Sequence, residues 1–370
     1  MSILKAKLLA SGLAIGLFSS VTLGATNLIT PNITLIHVKL SNGKTETIGL
    51  THVRLSRATR KKISLNMATL LAKPSLSIVE HGSLPASHYV GMNHQLVLNQ
   101  GLWGSCVTFA VTGAINALLN YQSQARLSQL CNLQVGRSPG NPYSPSWGGG
   151  GWNGNYANNV FHQIDHYGFM NLAAQKAYGC GGLREYPTYS ANNGSPMQLN
   201  EFMRFSNTGV FTNQNWATIL PPSNPLSPTK AAVVLHEVKL ALNKGNRIVF
   251  GMLMDSNFGF GTGAVGRYKS PYQLPLLTDT WVLNSQIQKD ISSNTASISG
   301  HDIIIDGYDN NACATYTAKN GTVKNQCGLL RIRNSWGPLA GDKGDYYMTY
   351  QYFMAAVDEA YSVGQNVKAS

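Results

Sequence analysis

The stretch N-Q-G-L-W-G-S-C-V-T-F-A, residues 99–110, sets Gln100 six residues ahead of Cys106, with a Gly-Ser pair directly before the thiol. From Cys106 the chain continues C-V-T-F-A-V-T-G-A-I-N-A-L-L-N-Y, with apolar Phe109, Ala110, Ala114, Ala117, Leu118 and Tyr121 at helical spacing. The pattern predicts a helix that begins at Cys106. A thiol at the positive end of a helix dipole is held toward its thiolate, the reactive form.

Two downstream blocks complete the chemistry. Residues 299–308 read S-G-H-D-I-I-I-D-G-Y, and residues 333–337 read R-N-S-W-G. His301 opens a run, 302–307, with the β-branched density of a buried strand. An imidazole beside a thiol takes its proton and remains as imidazolium. Asn334 is suited to accept a hydrogen bond from the other ring nitrogen, fixing tautomer and orientation. Trp336 would roof that bond and keep water out. Acyl transfer also needs donors set in advance for a tetrahedral oxyanion. The Cys106 backbone N–H and the Gln100 side-chain amide are the candidates.

Nucleophile, oxyanion donor, imidazole and orienting amide occur here in the order seen in papain-like cysteine peptidases, which the chain resembles. Further blocks carry the likeness. L-P-A-S (84–87) is similar to the start of a mature domain, and R-L-S-Q-L-C (126–131) to the segment after the catalytic helix. G-G-G-G-W-N-G (148–154) falls where the family has a glycine-rich substrate wall, and L-R-E-Y-P-T-Y (183–189) resembles its Tyr-Pro-Tyr block. V-K-L-A-L-N-K-G-N-R-I-V-F-G-M (238–252) resembles the helix and strand that enter the second half. Departures are also present. Trp103 stands where the family has a second cysteine, Val107 where it has tryptophan, Asp302 where it has a small apolar residue, and Ala340 in place of a second tryptophan. Cys106 and His301 are 195 positions apart, longer than the family's usual ~130–150, so added loops are expected between them.

The resemblance implies an α+β fold in two lobes, mainly helical over about 84–228 and mainly an antiparallel sheet over about 229–370, with the peptide cleft between. It leads one to expect the chain to cross back between lobes near either end. It implies Gln100 as oxyanion donor, Cys106 as nucleophile, His301 as general acid/base and Asn334 as its orienter. It also suggests Gly149, Gly150, Gly151, Trp152, Gly300 and Trp336 as substrate-binding residues. No cofactor and no metal is implied. The expected partner is a protein or peptide substrate, and the expected state is a monomer. The alternatives are an acyl transferase or deamidase acting on glutamine side chains, and a non-catalytic papain-fold binding protein. Asp302 is open: it either raises the histidine pKa or pairs with a base elsewhere. Residues 132–151 and 191–228, rich in Gly, Pro, Asn and Ser, read as surface loops.

The chain of 370 residues carries 28 Lys+Arg against 16 Asp+Glu. The excess is uneven: residues 26–83 hold eight basic against two acidic side chains, and residues 84–370 eighteen against fourteen. With no basic-aromatic patch and no nucleic-acid motif, nucleic acid is not an expected partner. Residues 1–25 open with two lysines, continue as L-L-A-S-G-L-A-I-G-L-F and end on small residues at Gly24 and Ala25. That is a signal-peptide pattern, too short to span a bilayer, so export is expected and stable membrane insertion is not. Export allows disulfides. Four cysteines remain beside Cys106 and allow three connectivities. Cys131–Cys180 with Cys313–Cys327 is the favoured one, the second pair flanking an Asn320-Gly321 turn signal.

Residues 26–83 form the expected pro-region. Apolar and polar residues alternate over 33–55 on both sides of Asn42-Gly43, a hairpin signature. Ser56 then caps a helix from Arg57 to about Ala72, with Ile63, Met67, Leu70 and Leu71 on one face and Pro74 as its stop. The unit is too small to fold alone. It is expected to act as an intramolecular inhibitor, with residues 75–83 running through the cleft as an extended strand.

Overall fold

The computed structural model describes residues 28–72, 84–223, 225–266, 278–293 and 298–367. The predicted signal segment and the predicted cleft strip at 75–83 lie outside them. The chain starts with a hairpin, β1 (Leu28–Lys39) and β2 (Thr45–Arg54), then α1 (Arg57–Ala72) and β3 (Ser87–Tyr89). A helical lobe follows: α2 (Cys106–Leu119), α3 (Gln129–Gly136), α4 (Ala157–Tyr167), α5 (Leu172–Tyr178) and α6 (Leu199–Met203). Next come β4 (Trp216–Leu220), α7 (Pro228–Asn243), β5 (Arg247–Asp255), β6 (Ala264–Val265), β7 (Thr280–Trp281) and α8 (Ser285–Ser293). The chain ends with β8 (Ile298–Thr317), β9 (Val323–Arg333), β10 (Asp345–Thr349), α9 (Tyr350–Ala356) and β11 (Val357–Val363). None of the described helices is long and apolar enough to cross a membrane.

The main sheet runs β4-β11-β5-β8-β9-β10-β7-β6, and β2 and β3 also pair with β8. The architecture is therefore α+β in two lobes, as expected. The expected crossing near the start is the pairing of β3 on β8, which places residues 87–89 on the sheet lobe. Near the end, Tyr361 and Val363 of β11 share a core with α2 and α4.

Two expectations are corrected. β4 lies in the stretch assigned to the helical lobe but pairs antiparallel with β11 at the sheet edge. The supposed loop at 132–151 begins inside α3, whose eight residues are all buried. A helix buried all round shows no apolar period. Polar partners surround it instead: Gln129 Nε2 donates to Thr112 Oγ1 at 2.9 Å, Gln134 Oε1 accepts from Arg137 Nη1 at 3.2 Å, Ser128 Oγ caps Cys131 N–H at 2.9 Å and Gln163 Nε2 donates to the Asn132 carbonyl at 3.0 Å. Likewise the stretch 191–228 holds α6 and β4.

The N-terminal unit forms as its sequence predicts. Asn42-Gly43 makes the turn, with Gly43 at φ +80° and Gly43 N–H donating to Leu40 O at 3.0 Å. Ser56 Oγ accepts from Thr59 N–H at 3.1 Å and caps α1. Ile48 and Leu50 of β2 and Ile63, Met67 and Leu70 of α1 are buried in the same apolar core as β5, β8 and α9. Both expected disulfides are present. Cys131–Cys180 ties α3 to the segment after α5, and Cys313–Cys327 joins directly paired positions of β8 and β9.

Residues 85–91 are clamped to the sheet. Pro85 O accepts from Tyr308 Oη at 2.9 Å, and Ala86 O from Asn310 N–H at 2.8 Å. The Arg331 guanidinium grips the fully buried Asp306 through bonds of 2.8 and 2.7 Å and lies 5.1 Å over the Tyr89 ring. Burial pushes Asp306 up and Arg331 opposes it. Arg331→Met strands this carboxylate, and the expected loss is about 3–5 kcal/mol of unfolding free energy at pH 7. The folded-state pKa of Asp306 then climbs further above its unfolded value. The loss is therefore smallest at low pH and grows as pH rises from the wild type's folded-state pKa to the variant's higher one. Urea midpoints at pH 4 and pH 7 check both size and sign.

Candidate active site

α2 begins at Cys106, and the reason is local. The Ser105 carbonyl accepts Phe109 N–H at 3.2 Å, while its hydroxyl pairs with Tyr186 Oη at 2.8 Å and makes no cap bond. The first N–H groups of α2 are thus left without a side-chain acceptor, beside the thiol, where a helix terminus attracts negative charge. Tyr186 Oη also reaches the Gln100 carbonyl at 2.9 Å, and its ring stacks on Trp152 at 5.6 Å. The Y-P-T-Y block therefore braces the loop that carries Cys106.

His301 sits on β8 opposite Met252 of β5, and Asn334 follows the end of β9. Their side chains meet, His301 Nε2 to Asn334 Oδ1 at 2.9 Å. Ser335 N–H donates to the same Oδ1 at 2.8 Å, which identifies that atom as the oxygen. Nε2 must then carry the proton, which leaves Nδ1 as the unprotonated nitrogen. Nδ1 is buried with no hydrogen-bond partner. Trp336 stacks on the imidazole at 5.1 Å and 24°, and Trp281 closes behind at 6.3 Å.

Gln100 joins the two halves of the site. Its Oε1 accepts from Ser335 Oγ at 2.7 Å and its backbone N–H donates to Ser335 O at 2.9 Å. That aims Nε2 out of the loop, and the group it meets is the Gly49 carbonyl of β2, at 2.8 Å; Trp103 O also accepts, at 3.0 Å. β2 lies along the site. Gly49 N–H donates to Gly101 O at 2.8 Å, Thr51 Oγ1 to Gly104 O at 3.4 Å, and Thr51 and His52 pair with Gly300 and Ser299. Cys106, His301, Gly300, Asp302, Thr51 and Val53 line one small cavity between the lobes.

The covered site is electrically quiet. Burial, then the Asp302 charge, pushes the Cys106 thiol up to about 12. Burial also pulls His301 down to about 4, against the favourable bond to Asn334. Thiol and imidazole are thus both neutral at pH 7, where the sequence predicts an ion pair for the working site. The open question on Asp302 resolves into a third answer. It faces Asp358 and Glu359 and acts on Cys106.

The predicted substrate wall lies elsewhere than expected. Trp152 is 1% exposed, wedged between Trp103 and Tyr186. A Cβ on Gly150 would strike Arg137, and one on Gly151 would meet Leu133, so both pack onto α3; Gly149 is exposed. The residues that line the cavity on this side are Trp147, Gly154, Asn155 and Tyr156. A Cβ on Gly154 would come 2.7 Å from Thr51 Cγ2, so β2 runs directly over it. Of the predicted wall, Gly300 lines the cavity and Trp336 stacks on the imidazole. Sequence reasoning missed Ser335, although it lies inside the quoted R-N-S-W-G. It also missed Asp358-Glu359, an acidic pair inside an apolar strand of a chain poor in acids.

Solved structures with a similar course of chain include a cysteine protease, xylellain from Xylella fastidiosa, at 15% identity over 80% of this chain and 90% of that one, TM-score 0.46. Digestive procathepsin L 3 from the larval midgut of Tenebrio molitor follows at 16% identity, 82% and 79% coverage, TM-score 0.43. Recombinant stem bromelain precursor gives 16%, 79% and 74%, TM-score 0.44. The chain is similar to papain-like cysteine proteases. No protein-family model and no curated protein matches it.

Proposed function

We propose that the chain is a secreted cysteine endopeptidase made as a zymogen. The observation that carries this reading is the Gln100 amide. It is held by Ser335 of the histidine-orienting segment, aimed beside the nucleophile, and already bonded to a peptide carbonyl, that of Gly49. In a substrate the scissile carbonyl would take that place. Cys106 attacks it, the oxyanion is received by Gln100 Nε2 and the uncapped start of α2, and His301 protonates the leaving amine. The same imidazole then activates water to hydrolyse the thioester. The order of steps follows from the neutral Nδ1, which accepts the thiol proton once the site opens.

In this reading the hairpin and α1 are the inhibitor, and β2 is the segment that blocks the cleft. Processing is expected after α1 ends at Ala72 and before Pro85, because residues from 85 onward are bonded to the sheet. The test is incubation of the full chain, with Cys106→Ala as control, followed by intact mass and digestion of denatured casein. The expected result is a new N-terminus within 73–85 and casein cleavage in the wild type alone. Ammonia release from glutamine side chains without backbone cleavage would overturn the peptidase reading.

A further inference from the structure

The cavity that holds Cys106 and His301 has a second wall with no assigned role. Asp302 of β8 and Asp358 and Glu359 of β11 line it, in a chain with only 16 acidic residues. Asp302 is 6% exposed and Glu359 1%, while Asp358 is half-buried. Glu359 Oε1 accepts Ala157 N–H at 3.0 Å, and the carboxyls of Asp302 and Glu359 are within hydrogen-bond reach of each other. Among the described residues no donor reaches Asp302 Oδ2, Asp358 Oδ1 or Glu359 Oε2. No Lys or Arg lines the cavity. Burying carboxylates without a cation is costly, so proteins pair them or keep them neutral. Burial raises all three here, Asp358 to about 7, and repulsion from the neighbouring carboxylates raises Asp302 and Glu359 further.

Two further observations point to a peptide as the missing partner. His301 Nδ1, fully buried and unpartnered, belongs to the same cavity. A peptide strand, β2, is already seated across it. β2 offers the cavity only Thr51 and Val53 and leaves Arg54 exposed, with about 50 Å³ still free. Departure of β2 adds the space of both side chains. The three carboxyls are not grouped as metal ligands among the described residues. They form a wall, which suits a planar guanidinium with donors on several edges or an ammonium at the end of an apolar stem.

We infer that this wall is a specificity subsite for a basic side chain, arginine or lysine, placed within a few residues of the cleaved bond. The inference rests on the peptidase reading above. Asp358 and Glu359 act as specificity residues, distinct from the groups that carry the acyl transfer.

The experiment uses the full chain after self-processing. Denatured casein is digested and the product termini are sequenced by mass spectrometry. Fluorogenic peptides that differ only by Arg, Lys, Leu or Glu at each of the three positions before the cleaved bond follow. The expected result is Arg or Lys at one fixed position in most products, with kcat/KM at least tenfold above Leu there. In Asp358→Asn/Glu359→Gln the Arg-to-Leu ratio is expected to fall at least tenfold. The single Asp358→Asn, at the half-buried edge, is expected to lower it several-fold and serves if the double variant fails to fold. Cleavage governed by apolar residues, or a ratio unchanged in the variants, overturns the subsite and leaves the peptidase standing. Labelling of Cys106 without cleavage of any peptide overturns the peptidase itself, and the subsite with it.

Discussion

Replacing Gly49 with valine is expected to raise the rate at which iodoacetamide labels Cys106 in the full chain at pH 7 by about a hundredfold or more. Gly49 has no room for a side chain. A Cβ there would lie 2.2 Å from Leu102 O, 2.5 Å from its carbonyl carbon and 2.9 Å from Trp103 N, all backbone atoms. β2 must therefore lift off the Gly101–Trp103 loop, which breaks the Gly49 contacts to Gln100 Nε2 and Gly101 O. With the thiol raised to about 12, the thiolate fraction at pH 7 is near one part in 10⁵ in the covered site. An ordinary thiol holds a few per cent, about three orders of magnitude more. Uncovering returns both groups to water and so removes the burial that dominates each shift; the thiol falls and His301 rises. The gain should be at its full value below the pKa of the uncovered thiol and should shrink as pH rises from there toward the covered value of about 12. An unchanged rate, with the hairpin shown to be displaced by its exposure to a protease, would mean that β2 is not what silences the thiol.

Gln100→Ala is expected to lower kcat of the processed enzyme by about 10²–10³ with little change in KM, the loss typical of one oxyanion donor. The donor is set by its surroundings, so Ser335→Ala, which frees Oε1, should cost roughly tenfold in kcat. The same substitution carries a second consequence. Gln100 Nε2 also holds the Gly49 carbonyl, so Gln100→Ala should loosen β2 in the unprocessed chain. Faster labelling of Cys106 together with slower turnover is a combination that a purely structural role for Gln100 does not produce. Equal losses in labelling and turnover would place Gln100 in the scaffold.

Both predictions concern a glutamine whose importance is legible in residues 99–110, meeting a glycine whose importance is not. Nothing in I-G-L within β2 marks Gly49, since a glycine in a strand is weakly informative alone. Its meaning appears only when the loop at 101–103 is placed 2–3 Å away. The same holds for the glycine run at 148–151. Its composition suggests a cleft wall, yet it turns onto α3, and the wall passes to Gly154, Asn155 and Tyr156.

What the amino-acid sequence by itself determined is what short-range chemistry controls. Asn42-Gly43 sets the hairpin, Ser56 starts α1, apolar spacing starts α2 at Cys106, and the blocks around His301 and Asn334 declare an imidazole with an amide to orient it. These depend on dihedral preferences, caps and periodicity over a few residues, so they can be read in place. Tertiary structure alone decided which strand covers the cleft, which glycines face it, and that Asp302 meets Asp358 and Glu359 from a strand more than fifty residues away. Those outcomes depend on which distant surfaces pack together and on the desolvation that follows. Neither is encoded in any one stretch of the chain.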